Sequence, residues 1–313
     1  MAYWKLTLVG VIALIFNQQA SAEILPAPKQ ISAHVYAWIG PYPGPSVENK
    51  GYRMNLVFVV GKEAIAVLDS GYYPKMAQEM VQHIRRVSEA PIKYVINTNS
   101  QPHRMLGNDV FRQLGADIIT TQPEADRMQS NANNYAMMLE NIMKFKPEEV
   151  VLPKPPNRII AKPLSLDLGG GVKIKLDMYK AAHTPLPLIV SIPGDNVVYT
   201  GDILYSGRLL SLISGSDMRQ WIETYDYLKK YGDAMFIPGH GHPAKLAAFE
   251  HSTRAYLVML NTHMTKMVEE GVDMQDAINK LDQSAYKDYA NYDFLAGRNA
   301  NIAYQEAERA SFE

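Results

Sequence analysis

Four predicted strands of this chain each lead directly into a short polar segment that contains an Asp or a His. The segments are Leu68-Asp69-Ser70-Gly71, Ala181-Ala182-His183-Thr184-Pro185, Tyr199-Thr200-Gly201-Asp202 and Ile237-Pro238-Gly239-His240. A strand holds the residue at its end rigidly, and helical patterns follow several of these strands. This arrangement is typical of a layered α/β domain whose functional site lies at the carboxyl ends of its strands.

Strand and helix patterns alternate along the chain in two β-rich blocks, residues 33–96 and 164–237. Strands are predicted at 33–39, 55–60, 64–68, 92–96, 164–168, 172–179, 188–192, 196–199 and 234–237. Helices are predicted at 74–88, 107–115, 123–144 and 217–231, and throughout the chain after about residue 243. Five prolines predict an extended linker over 147–163. The order predicts two similar half-units that pack face to face and meet near residue 150.

The first 22 residues have the pattern of an export signal. Lys5 precedes an apolar run from Leu6 to Phe16, and Ala20-Ser21-Ala22 then forms a small-residue cleavage pattern. A membrane span takes about 20 apolar residues, so the pattern favours cleavage after Ala22 over an uncleaved anchor. We therefore expect residues 1–22 to be a signal peptide. The mature chain, with no further membrane span, is expected to be periplasmic or secreted.

The composition excludes several classes of site. The chain contains no cysteine, so a metal ion must be held by His, carboxylate, amide or water, and a nucleophile must be an oxygen or an amine. The 31 Lys and Arg residues against 32 Asp and Glu residues give a net charge of −1. No basic excess is therefore available to drive binding to nucleic acid.

Taken in this order, the four polar segments resemble those of the metallo-β-lactamase superfamily over roughly residues 33–245. The resemblance implies a four-layer αβ/βα sandwich with one or two zinc ions in a cleft between its halves. It also implies that His183, Asp202 and His240 are metal ligands, and that Asp69 orients the metal-binding loop. On this basis residues 23–250 are expected to form the sandwich domain, and residues 251–313 a helical extension packed on it.

The loop that usually carries the family's His-x-His-x-Asp-His motif is altered in this chain. Its flanks, Asn97-Thr98 and Leu106-Gly107-Asn108, match the family and set the register. In that register the first two His positions hold Asn99 and Gln101, the Asp position holds His103, and the last His position holds Arg104. Amides are not typical zinc ligands and Arg cannot ligate a metal, so an ordinary dinuclear zinc site is not expected.

Two imidazoles and one carboxylate remain for a single metal ion, at His103, Asp202 and His240. With one open position, this set is sufficient for one zinc, iron or manganese ion. His183 is a further candidate ligand at the same place, and the amides Asn99 and Gln101 are expected to line the pocket.

The chain also resembles a narrower exported group within the superfamily. The shared segments are Gln101-Pro102-His103-Arg104, Leu106-Gly107-Asn108 and Leu295-Ala296-Gly297-Arg298-Asn299-Ala300. The chain departs from that group at Pro102, where the group tends to have Asp. Membership of such a group indicates a fold rather than a chemistry.

Two functions follow from the sequence as alternatives. In the first, the protein is a metal-dependent hydrolase of a small anionic ester, thioester, lactam or sulfur compound. Asp202 then holds the metal, and Arg104 anchors the anion of the substrate through two parallel hydrogen bonds. In the second, a non-catalytic periplasmic binding protein has kept the fold and lost the metal. The retained ligands favour the hydrolase, and the altered loop favours the binding protein.

Overall fold

The computed structural model describes residues 23–312, so the predicted signal peptide lies outside the described residues. Two β-sheets form the centre of the molecule. The first sheet contains β1 (Lys29–Gln30), β2 (Val35–Trp38), β3 (Leu56–Val60), β4 (Ile65–Leu68), β5 (Ile92–Ile96), β6 (Asp117–Thr121) and β7 (Arg158–Ile160). The second sheet contains β8 (Leu164–Asp167), β9 (Lys173–Asp177), β10 (Ile189–Ile192), β11 (Val197–Tyr199) and β12 (Met235–Ile237).

Helices cover the outer faces of the two sheets. They are α1 (Pro74–Val87), α2 (Pro102–Met105), α3 (Asn108–Gln113), α4 (Gln122–Ser130), α5 (Ala132–Asn141), α6 (Met218–Tyr227), α7 (Tyr256–Glu269), α8 (Met274–Lys280) and α9 (Tyr292–Ala310). A π-helical turn, Glu250–Ala255, leads into α7. Within residues 23–312, no helix combines the length and apolar character needed to cross a bilayer.

The strand pairing brings the carboxyl ends of several strands to one edge. In the first sheet the strands follow the chain order; β1 to β4 pair antiparallel, and β4 to β7 are parallel. The second sheet has the order β12-β11-β10-β9-β8, and only β11 and β12 are parallel. Because parallel strands end at the same edge, the loops after β4 and β5 are neighbours, as are those after β11 and β12.

Three apolar cores separate the layers. Side chains from both sheets, such as Val57, Leu68 and Val190, form the central core. A second core lies between the first sheet and its helices, and a third joins the second sheet to α6, α7 and α9. The order helix, sheet, sheet, helix confirms the predicted αβ/βα sandwich.

Parts of the secondary structure differ from the prediction because tertiary contacts decide them. Strand β6 was not predicted, and β7 lies within the predicted linker, where it pairs with β6 through three residues. The two halves therefore meet at residues 161–163 rather than near residue 150. The predicted helix over 123–144 is broken at Asn131, whose Nδ2 donates to the carbonyl of Arg127 and so satisfies the end of α4.

The carboxyl-terminal helices belong to the same core as the second sheet. Leu295 and Ala303 of α9 share that core with Trp221 of α6. The buried side chain of Asn299 accepts from the Leu212 amide at 2.9 Å and donates to the Leu210 carbonyl at 2.8 Å. Helix α9 therefore holds the segment that follows Asp202 in the chain. A domain boundary at residue 250 stays a prediction.

Replacement of Asn299 by Leu is expected to lower the free energy of unfolding by about 3 kcal/mol, because it leaves a buried amide and a buried carbonyl without partners. Urea denaturation measures this difference. The exposed residue Gln305 on the same helix provides the control, and Gln305→Leu is expected to change the value by less than about 0.5 kcal/mol. Equal effects from both substitutions would contradict the assigned role of Asn299.

Candidate metal centre

Arg104 lies at the centre of the site, and its side chain is fully buried. Its Nε and Nη2 donate to Oδ2 and Oδ1 of Asp202 at 3.2 and 2.5 Å, which makes a bidentate ion pair. The other contacts of the guanidinium are with Asp69 Oδ2 at 3.2 Å, Tyr199 Oη at 2.7 Å, the Asn55 carbonyl at 2.7 Å and the Gly239 carbonyl at 3.0 Å. A guanidinium has five N–H donors, so these six acceptors use all of them.

The backbone around Arg104 explains why the side chain takes this position. Pro102 begins the one-turn helix α2, a place where its missing N–H leaves no bond unmade. The Arg104 carbonyl then accepts from the Ser70 amide at 2.8 Å and from Asn97 Nδ2 at 2.9 Å. A Cβ at Gly107 would lie 2.1 Å from the Ser70 carbonyl oxygen, so only glycine allows the two loops to pack this closely.

Asp69 connects the altered loop to the second sheet. It has a left-handed backbone conformation, with φ +66°, and its carboxylate accepts from the Thr98 amide at 2.7 Å and from the Thr98 hydroxyl. The hydroxyl of Tyr199, in β11, donates to Asp69 Oδ2 at 2.6 Å. Burial raises the pKa of Asp69 to about 6 against the opposing effect of Arg104.

Asp202 lies in a single helical turn, Gly201–Ile203, directly after β11. In addition to the two bonds from Arg104, its Oδ2 accepts from Asn99 Nδ2 at 2.9 Å. Burial disfavours the ionised carboxylate, but the Arg104 guanidinium holds the pKa of Asp202 well below its usual range. A Cβ at Gly239 would lie 2.6 Å from both Arg104 Nη2 and Asp202 Oδ1, so the ion pair requires glycine there.

Two buried imidazoles face the carboxylate of Asp202. His103 Nε2 lies 3.3 Å from Oδ2, and His240 Nε2 lies 3.2 Å from Oδ1. His240 Nδ1 lies 2.9 Å from the Arg53 carbonyl, which can only accept, so Nδ1 carries the proton and Nε2 keeps its lone pair. Neither ring nitrogen of His103 has a hydrogen-bond partner. Burial lowers the pKa of His103 to about 3, so the ring is neutral.

His103, Asp202 and His240 form a group that could hold one metal ion, and we call these three residues the metal group. Their ligand atoms all lie within 4.8 Å of one another. Bonds of about 2.0–2.1 Å in a tetrahedral zinc site place neighbouring ligand atoms about 3.3 Å apart, close to the 3.2 Å between His240 Nε2 and Asp202 Oδ1. Asp202 Oδ1 accepts one hydrogen bond, from Arg104, and keeps a lone pair towards His240. The three residues are therefore a candidate set of ligands for a single metal ion.

The other predicted site residues lie around this group rather than in it. His183 is not one of the three converging residues; its ring packs against Trp221 and Tyr205, at centroid distances of 5.6 and 6.3 Å. The oxygen of Asn99 accepts from the Gln101 amide, and its nitrogen faces Asp202. Asn99 therefore has no oxygen directed at the metal group. Gln101 lines the adjoining cavity.

Arg104 does not provide the substrate anchor that the sequence predicts for it. Its donors all face protein acceptors, and it is absent from the lining of the cavity next to the metal group. The residue is internal because acceptors from four different loops and strands surround it. Its role in the structure is to fix and charge-balance Asp202.

Two residues that hold Arg104 were missed by the sequence analysis. The Asn55 carbonyl accepts from Arg104, and Asn55 Nδ2 donates to the carbonyls of Pro238 and Gly241 at 2.8 and 2.7 Å. Tyr199 contacts both Arg104 and Asp69. A signal existed in each case, since Asn55 is the polar residue at the head of an apolar strand and Tyr199 directly precedes the Thr-Gly-Asp segment.

A cavity of about 260 Å³ opens next to the metal group. His103, His183 and His240 line it, together with the aromatic rings of Tyr72 and Tyr205. A larger cleft of about 590 Å³ lies against the second sheet, but none of the predicted site residues lines it. The smaller cavity is therefore the place where a substrate would meet the candidate ligands.

Replacement of Arg104 by Lys is expected to lower the free energy of unfolding by about 3 kcal/mol or more, because an ammonium keeps the charge but cannot satisfy the buried acceptors. Chemical denaturation of the metal-free protein measures the loss. Arg86, whose side chain is 61% exposed, is the matched control, and Arg86→Lys is expected to have an effect below about 0.5 kcal/mol. A stable Arg104→Lys variant would show that the ion pair is dispensable.

Buried His183 is expected to make the metal-free protein sensitive to acid. Burial lowers the pKa of His183 to about 4, whereas a histidine in an unfolded chain titrates near pH 6.5. The unfolded state therefore takes up the proton first, and stability falls as the pH drops from about 6.5 to about 4. We expect His183→Gln to reduce this slope by about 1.4 kcal/mol per pH unit. Parallel stability profiles for the two proteins would contradict the prediction.

Comparison with known proteins gives the family of the chain. The family described as the metallo-β-lactamase superfamily matches residues 51–240. The chain is 24% identical to metallo-β-lactamase IND-1 from Chryseobacterium indologenes over 238 residues, which are 74% of this chain and 89% of that protein.

Solved structures share the fold. A metallo-β-lactamase from Pontibacter korlensis has a TM-score of 0.60 at 17% identity, covering 74% of this chain and 97% of that one. FIM-1 from Pseudomonas aeruginosa, in a mono-zinc form, has a TM-score of 0.57 at 17% identity, covering 74% and 93%. The family match spans more than half of the chain, from before Asp69 to His240. The chain therefore belongs to the metallo-β-lactamase superfamily.

Proposed function

We propose that this protein is a metal-dependent hydrolase of a small anionic substrate, with one zinc ion held by His103, Asp202 and His240. The observation that carries the proposal is the contact of His240 Nε2 and His103 Nε2 with the Asp202 carboxylate. The lone pair of His240 Nε2 lies 3.2 Å from Asp202 Oδ1 and repels it unless a cation lies between them. His103 Nε2 lies 3.3 Å from Asp202 Oδ2 without a hydrogen bond. A metal ion bound between the imidazoles and the carboxylate would satisfy these ring nitrogens, which have no other partner for their lone pairs.

The residues around the ligands prepare them for a metal. The Arg53 carbonyl fixes the tautomer of His240, and Asn99 and Arg104 hold Asp202 ionised in one orientation. Burial keeps His103 neutral, so one of its two ring nitrogens has a free lone pair near neutral pH. A zinc ion in such a set supplies Lewis-acid activation of water and of a carbonyl group. The protein contributes a fixed and buried set of ligands.

The family supports a substrate with a hydrolysable acyl or sulfur-containing bond. The similar proteins are named metallo-β-lactamases, which favours an ester, thioester or lactam among the proposed substrates. The altered loop provides one metal position, so iron or manganese in place of zinc is compatible with the same ligands. The pattern of residues 1–22 supports an exported enzyme, in the periplasm or secreted.

One observation favours the second candidate, a non-catalytic binding protein. Arg104 already neutralises Asp202, and Asp202 Oδ2 accepts from both Arg104 and Asn99. A carboxylate compensated in this way can be buried without a metal. Metal content separates the two functions, because the binding protein needs none.

Replacement of His103 by Phe is expected to abolish zinc binding with little loss of stability, since the imidazole makes no hydrogen bond in the structure. Chelator-treated protein is titrated with zinc by calorimetry, and the bound metal is counted by elemental analysis. Wild type should bind one equivalent and His103→Phe none. The exposed His251, which stacks on Tyr286, is the control, and His251→Phe should bind as wild type does. If the wild-type protein binds no zinc in this titration, the result would favour the non-catalytic binding protein.

A further inference from the structure

The cavity next to the metal group is strongly cationic. Arg53, Arg208 and Arg298 line it, and its lining residues include no Asp or Glu. None of these three guanidinium groups forms an ion pair with a carboxylate of residues 23–312. Positive charge in a cleft of this kind raises the local concentration of anions.

Of the three, Arg208 gives the strongest indication of an anionic ligand, because its side chain is buried without a hydrogen-bond partner. Its side chain is only 3% exposed, and its Nε and Nη1 have no hydrogen-bond partner. Arg53 Nε is likewise unpartnered. Arg104, which is equally buried, satisfies every donor. A buried guanidinium with free donors is costly, and an anionic ligand in the cavity would complete it.

The backbone holds Arg208 in place at the cavity wall. The Leu209 amide donates to the Ala290 carbonyl at 3.0 Å, and the Ala290 amide donates to the Gly207 carbonyl at 3.2 Å. Gly207 has φ +70°, and a Cβ there would lie 2.3 Å from the Tyr42 ring. The segment is therefore fixed on both sides of Arg208, and little ordering remains to be done when a ligand binds.

Burial does not remove the charge of Arg208. Burial and the neighbouring Arg53 lower the pKa of Arg208 to about 10, so it stays charged at neutral pH. Its positive charge therefore faces a cavity whose lining residues include no carboxylate.

Helix α9 contributes one wall of the cavity. Phe294, Leu295 and Arg298 line it from this helix, and Phe294 is 73% exposed although it is a large apolar residue. Asn291, at the start of the helix, donates to the Tyr42 carbonyl at 2.8 Å and so joins α9 to the loop on the other side. The family match ends at residue 240, so this wall lies outside the matched range.

We propose that Arg53, Arg208 and Arg298 form a subsite for a small organic dianion, and that helix α9 completes this subsite beside the metal group. The inference rests on the proposed function and names its substrate class, a small molecule with two negative charges on carboxylate or phosphate oxygens. Three cations in a lining without Asp or Glu suit two negative charges better than one. The apolar side chains of Phe294 and Leu295 contact the uncharged part of the molecule.

Anion binding to chelator-treated protein tests the subsite independently of the metal. Malonate and inorganic phosphate serve as dianions and acetate as the monoanion, at constant ionic strength and measured by calorimetry. We expect the dianions to bind at least tenfold more tightly than acetate. Arg208→Met should weaken dianion binding at least tenfold, and Arg298→Met should reduce the ratio of malonate affinity to acetate affinity. Arg86→Met, at an exposed arginine, should change neither.

Thermal unfolding of the same variants separates a binding role from a structural one. Arg208→Met removes an unpaired buried cation, so it should raise the unfolding midpoint of the ligand-free protein while abolishing the stabilisation by malonate. A lowered midpoint would show that Arg208 is structural and would overturn the proposal. Dianion affinity unchanged in Arg208→Met, or equal affinity for acetate and malonate, would overturn it too. Zinc is absent throughout, so failure here leaves the proposed metal-dependent function standing.

Discussion

The buried ion pair between Arg104 and Asp202 is the contact on which the site depends. Arg104 follows β5 of the first sheet and Asp202 follows β11 of the second, so the pair joins the two halves of the sandwich. Removing two charges from water is favourable only when their remaining donors and acceptors are satisfied. Asp69, Tyr199 and the carbonyls of Asn55 and Gly239 satisfy them here. One guanidinium thereby sets the relative positions of the loops after β4, β5, β11 and β12.

Arg104 also bears on the number of metal ions that the candidate site could hold. A His at position 104 would add a ligand, whereas Arg104 places a permanent cation against Asp202 and occupies one side of both carboxylate oxygens. His103, the preceding residue of the same helical turn, is then directed to the carboxylate as well. The loop differs from the family motif at four positions, and Arg104 is the one that places a cation against Asp202.

Strand-end chemistry could be predicted from the sequence, because parallel strands bring their carboxyl ends to one edge. Asp202 and His240 come together for that reason, since β11 and β12 are parallel, whereas Asp69 follows β4 of the other sheet. The order of the elements predicted two half-units that face each other, and the family resemblance implied the αβ/βα sandwich. The surroundings of Arg104 could not be predicted, since its acceptors come from segments up to 135 residues away. His183 packs on Trp221 and Tyr205 beside the metal group rather than within it, and sequence spacing does not encode that difference. Arg208 belongs to no motif.

Arg104 and Arg208 show how two residues of one type can be assigned opposite roles. Both are buried, and both lie near the metal group, so residue type and depth do not distinguish them. Their hydrogen bonds distinguish them. All donors of Arg104 bind protein acceptors, whereas Nε and Nη1 of Arg208 have no hydrogen-bond partner. A residue that anchors a ligand must have donors left to give. Arg208 is therefore the better candidate for the anion anchor of this cleft. It lies beside helix α9, which follows the range matched by the family. On this view the sandwich supplies the metal chemistry, and the carboxyl-terminal helix selects the molecule that reaches it.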